Sequence, residues 1–229
     1  MVRHSTRPAS APEREIPAPG ALPEDQRARR QRIVDAARQL MATIDYSRIQ
    51  VKDVAEEANV SLGTLYRYFS SKDHLFACAL ADWAAPMDAE LRERQRRSRG
   101  STATRVRTVF HAAARAFEDA PRVFGALMAL AVSSDRYAIA EFQGFAQREF
   151  DMFTAVVADI PEPYRDDIVA VLTSVLSESL REFVVGLYPM SGVYVRLDQA
   201  IRLIFRAPFD AAESDPAPVT SLRPARPSA

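Results

Sequence analysis

In 229 residues there is one cysteine, Cys78, so no disulfide can close within the chain and nothing requires an oxidising compartment. No apolar run reaches the ~18 residues that mark a membrane-spanning helix. The N-terminal stretch also lacks an apolar core of export-signal length, so the cytoplasm is the expected compartment and no membrane partner is expected. Glycine is scarce at seven residues, and no glycine-rich loop that could cradle a phosphate is among them. His4, His74 and His111 lie far apart without paired metal-ligand spacing, and Cys78 has no base beside it in sequence. Neither catalysis nor a metal nor a cofactor is expected, and Cys78 reads as a buried structural thiol. A surplus charge of one sign is missing too: 30 Lys plus Arg balance 30 Asp plus Glu, so any affinity for nucleic acid must come from local patches.

What is present is an ordinary globular composition, 48% hydrophobic and 26% charged, in a chain long enough for a substantial core. Residues 1–23 alternate Pro, Ala, Ser and Arg and are expected to form a disordered arm; 208–229 repeat that composition and are expected to fray. Between them apolar residues recur at helical spacing, beginning with Ile33, Ala36, Ala37, Leu40 and Met41. Further helices are predicted over about 50–58, 62–69, 72–99, 102–119, 121–133, 135–159, 164–187 and 193–205. Pro86 is expected to kink or split the one it falls in. No stretch alternates with period two, so the fold class is all-α: a helix-turn-helix domain at 24–71 joined to a larger helical bundle at 72–207.

The two short helices are linked by Asn59-Val60-Ser61. Asn59 suits a left-handed helix end, Ser61 can cap the next helix by accepting the amide of Thr64, and Val60 with Leu65 can staple across the cap. Leu65 and Phe69 face the core at i and i+4, and Tyr66 is expected to pack there as well. Gly63, Thr64, Arg67 and Tyr68 are left for the outer side. That is the plan of a helix-turn-helix whose second helix enters the major groove.

The run Val54-Ala55-Glu56-Glu57-Ala58-Asn59-Val60-Ser61-Leu62-Gly63-Thr64-Leu65-Tyr66-Arg67-Tyr68-Phe69, followed by Ser71-Lys72 and Leu75, resembles the signature of the TetR family, with the likeness spanning about residues 29–80. The resemblance implies a regulator whose partner is a double-stranded DNA operator. It further implies that Gly63, Thr64 and Arg67 approach base edges while Ser61, Tyr68 and Lys72 hold phosphates. Two positions depart from the family pattern: Asp45 stands where glycine is common and Gln50 where a capping threonine is common. Aspartate tolerates a left-handed turn; Gln50 is a poorer cap, so its side chain is expected to reach DNA instead. Arg27, Arg29, Arg30 and Arg32 fit either an arm on the phosphates or a solvated face.

The second half is rich in large apolar side chains, including Phe110, Phe117, Phe124 and Met128, then Phe142, Phe145, Phe153 and Phe183. Most must fill the core, and a few are expected to line a cavity for a hydrophobic small-molecule effector. Residues 104–205 are loosely similar to the steroid-catabolism repressors of the same family, which implies a sterol-derived coenzyme A thioester; a fatty acyl-CoA, a drug or an aromatic compound stays open. The last two helices carry apolar stripes, Leu172, Leu176, Leu180 and Val184 on one, Leu197, Ile201 and Ile204 on the other. By resemblance that pair meets its symmetry mate in a homodimer, setting two reading helices about 34–36 Å apart on a palindromic site. A ligand-binding helical enzyme and a pure protein-docking module are the rival readings; turnover without salt-sensitive DNA binding would mark the first.

Overall fold

The strong apolar stripes and their polar punctuation fold into nine α-helices in a computed structural model that describes residues 15–97, 100–162 and 164–205. They are α1 (Glu24–Thr43), α2 (Val51–Glu57), α3 (Leu62–Tyr68), α4 (Lys72–Arg97), α5 (Thr102–Asp119), α6 (Pro121–Leu130), α7 (Arg136–Val156), α8 (Tyr164–Val184) and α9 (Met190–Phe205). No strand occurs among the described residues. Helix α4 packs along both α1 and α7, so it joins the N-terminal three-helix head to the bundle behind it.

Helix ends follow local chemistry. Ser101 caps α5 by accepting from Thr104 N at 3.3 Å, Asp135 caps α7 by accepting from Tyr137 N and Ala138 N at 2.9 Å, and Pro121 opens α6 where a missing N–H costs nothing. Helix α8 stops at Val184, short of Leu187, because Gly186 adopts φ 75°. The Gly186 and Leu187 amides then turn back to the carbonyls of Phe183 and Glu182, closing the helix in a Schellman motif. Helix α4 is not split at Pro86, which lies inside its continuous span. The proline removes one backbone donor, and packing against α1 and α7 keeps the helix intact.

Three expectations need correction. The arm read as disordered to Pro23 is tied to the bundle at two points of its last part: Ile16 N donates to the Tyr137 hydroxyl at 2.9 Å and Leu22 is buried, with Pro19–Ala21 forming a 3-10 turn between them. Residues 1–14 and the 208–229 tail lie outside the described residues. Asp45 takes an extended conformation, φ −61° and ψ 134°, so no left-handed residue ends α1. Finally, Leu172, Leu176, Leu180, Leu197 and Ile201 are buried within the chain, because the facing stripes of α8 and α9 close on each other and on the bundle core. Of the residues assigned to a partner copy, only Val184 is exposed and Ile204 half-buried; the outer side of the C-terminal pair instead exposes Val171, Val185, Leu187 and Leu203.

Candidate functional site

The turn between α2 and α3 is built as its sequence dictates. Asn59, at φ 51°, is the one non-glycine residue with positive φ among the described residues. Its amide and that of Val60 bond back to the carbonyls of Glu56 and Ala55, a second Schellman closure. Ser61 Oγ accepts from Thr64 N at 3.1 Å and lies 2.9 Å from Thr64 Oγ1, so the cap and Thr64 are held together. At the start of α2, Asp53 accepts from the backbone N–H of Gln50 at 2.9 Å, and Gln50 is exposed.

Helix α3 turns Leu65, Tyr68 and Phe69 inward and Gly63, Tyr66 and Arg67 outward, with Thr64 half-buried between. Here the two tyrosines exchange the roles read from sequence: Tyr68 is 2% exposed with a buried hydroxyl that has no hydrogen-bond partner among the described residues, whereas Tyr66 is 42% exposed. The cause is helical geometry, since i+3 shares the buried face with i and i+4 and position 66 lies across from it. Arg30 is also committed inward, with its guanidinium 4.9 Å from the Phe69 ring centroid; Arg27 and Arg32 are exposed.

Lys72, at the start of α4, donates from Nζ to the Tyr46 carbonyl and sits 4.1 Å from the Tyr46 ring centroid. Burial lowers its pKa, opposed by the neighbouring Asp73. The same Asp73 accepts from the Tyr46 hydroxyl and, at 2.6 Å, from Ser133 Oγ, tying the head to the turn before α7. The cation at this helix start therefore has a structural partner within the chain, a contact that sequence spacing did not reveal.

Behind the head, a cavity of about 270 Å³ lies between α4, α5, α6, α7 and α8. Of the eight residues assigned to a ligand, Phe117, Phe124, Phe142, Phe145 and Phe153 line it. Phe110 stacks behind Phe153, with ring centroids 4.4 Å apart, while Met128 and Phe183 pack elsewhere against the core. Phe150, another of the large apolar side chains of the second half, lines the cavity too, while the sequence reading missed Trp83, Met87, Leu127 and Glu149 in the wall. Buried away from water and beside Asp88, the Glu149 carboxyl is pushed up to about 8, against the opposing pull of Arg148 and Arg92. Trp83 and Met87 also border an open cleft of about 710 Å³ between α4 and α5, where Arg107, His111 and Arg115 line one side. Asp198 on α9 anchors that side, bonding Arg107 at 2.9 Å and His111 at 2.7 Å.

A capped short helix on a three-helix head, joined through one long helix to a bundle with an apolar cavity, defines a helix-turn-helix protein with a helical body behind its head. Residues 33–79 match the bacterial regulatory proteins of the tetR family. The chain is 32% identical over 183 residues to the HTH-type transcriptional repressor KstR of Mycolicibacterium smegmatis, covering 79% of this chain and 89% of that one. The KstR of Mycobacterium tuberculosis is 31% identical over 183 residues, covering 79% and 82%. Among solved structures, a TetR transcriptional regulator from Rhodococcus sp. RHA1 superposes with a TM-score of 0.68 at 23% identity, covering 79% of this chain and 97% of the other. FadR from Bacillus subtilis in complex with stearoyl-CoA gives 0.61 at 14% identity, covering 76% and 96%. The chain belongs to the TetR family; it is a DNA-binding transcription regulator and not an enzyme. Among the described residues no helix is long and apolar enough to cross a membrane.

Proposed function

We propose that this regulator is a repressor that grips a palindromic operator as a two-fold dimer and lets go when a lipophilic ligand fills the cavity behind α4. The observation that carries the reading is the outward face of α3, where Gly63, Tyr66 and Arg67 are exposed beside Thr64 on a helix fixed by its cap. Nothing inside the chain demands glycine at 63, since an added Cβ would meet only Ser61 Oγ at 3.9 Å; its smallness serves close approach to a duplex. Thr64 and Arg67 read base edges, and Ser61, Gln50, Tyr66 and Lys72 take phosphates, with Tyr66 in the place first given to Tyr68. The exposed apolar side of α8 and α9, around Val171, Val185 and Leu203, pairs with the same surface of a second copy.

For the ligand, the aromatic cavity suits an acyl or sterol body and the arginines of the adjoining cleft suit phosphate groups. That division fits a coenzyme A thioester, and stearoyl-CoA is the molecule bound in the Bacillus subtilis FadR structure. The Glu149 carboxyl in the wall favours one rival, a lipophilic cation.

Selection from random duplexes should enrich a palindrome, and stearoyl-CoA or a sterol-derived thioester should release it. Lys72→Ala should flatten the dependence of log affinity on log salt by about one unit. Thr64→Ala should relax base preference at one position per half-site while leaving nonspecific binding unchanged. Enrichment of nothing would overturn the DNA reading. Release by a lipophilic cation and not by thioesters would move the effector class.

A further inference from the structure

On the inner side of α4, three metal-ligating side chains converge that neither DNA reading nor the cavity uses. His74 and Cys78 stand one turn apart on α4, and Glu141 reaches them from α7; one ligand atom from each lies within 4.8 Å of the other two. His74 and Cys78 are buried and Glu141 is half-buried. Facing helices of a bundle build metal centres from such inward-pointing side chains. Sequence spacing hid this one because the second ligand on α4 is a lone cysteine and the third lies far along the chain.

We propose that His74, Cys78 and Glu141 form a site for a single divalent cation of the zinc class, set at the seam between the reading head and the ligand-binding body. One thiolate, one imidazole and one carboxylate are the donor types zinc takes, with a water free to complete a tetrahedron. Tetrahedral zinc holds such ligand atoms about 3.4–3.6 Å apart, so closure asks the side chains to move together by about 1 Å.

The surroundings support the assignment. Ser70 Oγ lies 3.2 Å from His74 Nδ1 and donates to Asp135 Oδ2 at 2.9 Å. The Ser70 backbone N–H donates to the same Nδ1 at 3.2 Å, so without an ion the imidazole proton sits on Nε2. An ion held at Nε2 would shift that proton to Nδ1, where Ser70 Oγ can accept it in place of the N–H contact and, with Asp135, hold the ring as outer-sphere partners of metal-bound histidines do. The charged groups facing the cluster are Arg30 from α1, Asp135 and Glu141 from α7; two carboxylates outnumber one guanidinium. A divalent ion that displaces the thiol proton to solvent brings this set to neutrality. Arg30 Nη2 donates to Cys78 Sγ at 3.1 Å, so the ion competes with an α1 side chain that also covers Phe69, and its arrival is felt in the head.

Cobalt(II) titrated into the full-length chain is the test. A thiolate-to-cobalt charge-transfer band should grow to one equivalent, be bleached by zinc, and vanish in Cys78→Ser; since Cys78 is the sole cysteine, no other group in the chain can produce it. Ser70→Ala should weaken cobalt affinity about tenfold, the lower end of what outer-sphere partners contribute. Glu141→Gln should weaken it at least as much, and Arg30→Gln should tighten it. The proposal is overturned if the folded chain shows no such band at millimolar cobalt, if the band survives Cys78→Ser, or if Glu141→Gln leaves affinity unchanged. A failure here leaves the DNA-binding reading untouched, because operator selection repeated with chelator present does not depend on the ion.

Discussion

Phe69→Ala should abolish operator binding while leaving the bundle helical. Phe69 is 0% exposed at the end of α3, with the Arg30 guanidinium over its ring and the His74 ring meeting it edge-on at 5.4 Å. Truncating a fully buried phenylalanine costs about 3–5 kcal/mol through lost burial and the cavity left behind. That is a large share of the roughly 5–15 kcal/mol that holds a folded domain together. A seven-residue helix has no stability of its own, so the loss falls on the seating of α3 first. Urea unfolding should show the free energy of unfolding lowered by that amount, and a gel shift should show affinity reduced by more than a hundredfold. Tyr66→Ala is the control. It removes an exposed ring one turn away, should change stability by no more than about 0.5 kcal/mol, and should weaken binding through lost contact with DNA alone. Operator affinity within threefold of wild type for Phe69→Ala would mean that α3 is not the reading element.

Where local chemistry decides a structure by itself, the sequence was a reliable guide. The Ser61 cap, the left-handed Asn59, the buried Cys78 and the span of α5 all follow from residues within a few positions of one another. The failures share a different cause. Tyr68 and Tyr66 were misassigned because a seven-residue helix offers one short stripe, and naming only i and i+4 left the inward side of i+3 undrawn. The α8 and α9 stripes are real, yet periodicity says only that a face is buried and not whether the partner is the next helix or a second copy. Lys72 on Tyr46, Ile16 on Tyr137 and Glu149 beside Asp88 are contacts across the fold, and no pattern along the chain encodes them. The family signature carried the head because the head is one contiguous segment. The cavity wall is drawn from five helices, and only its phenylalanines were conspicuous enough to be picked out in advance.

That cavity wall also sets how stability should respond to pH. An acid whose folded pKa is raised holds a proton that the unfolded chain has already released, so it favours folding on the acid side and the benefit drains away as pH rises through the folded value. For Glu149 the window runs from its ordinary 4.5 to about 8. His74, which burial and Arg30 lower from 6.5 to about 4, acts with the opposite sign below pH 6.5, because there the unfolded chain binds the extra proton. From pH 6.5 to 8 the Glu149 effect continues, since the raised Cys78 thiol enters only above its ordinary 9.0. Between pH 6.5 and 8 the chain should lose about 2 kcal/mol, or about 4–8 °C of melting temperature for a chain of this size. The groups facing Glu149 are Asp88, whose carboxylate resists a second negative charge, and Arg148 and Arg92, which partly relieve it. Glu149→Gln keeps the shape and a donor towards Asp88 without an ionisable proton. Its melting temperature should be flat across that window and exceed wild type at pH 9, where the buried charge is at its most costly. If the variant declines with pH as steeply as wild type, the alkaline loss arises elsewhere, and the carboxyl in the cavity wall is ionised throughout.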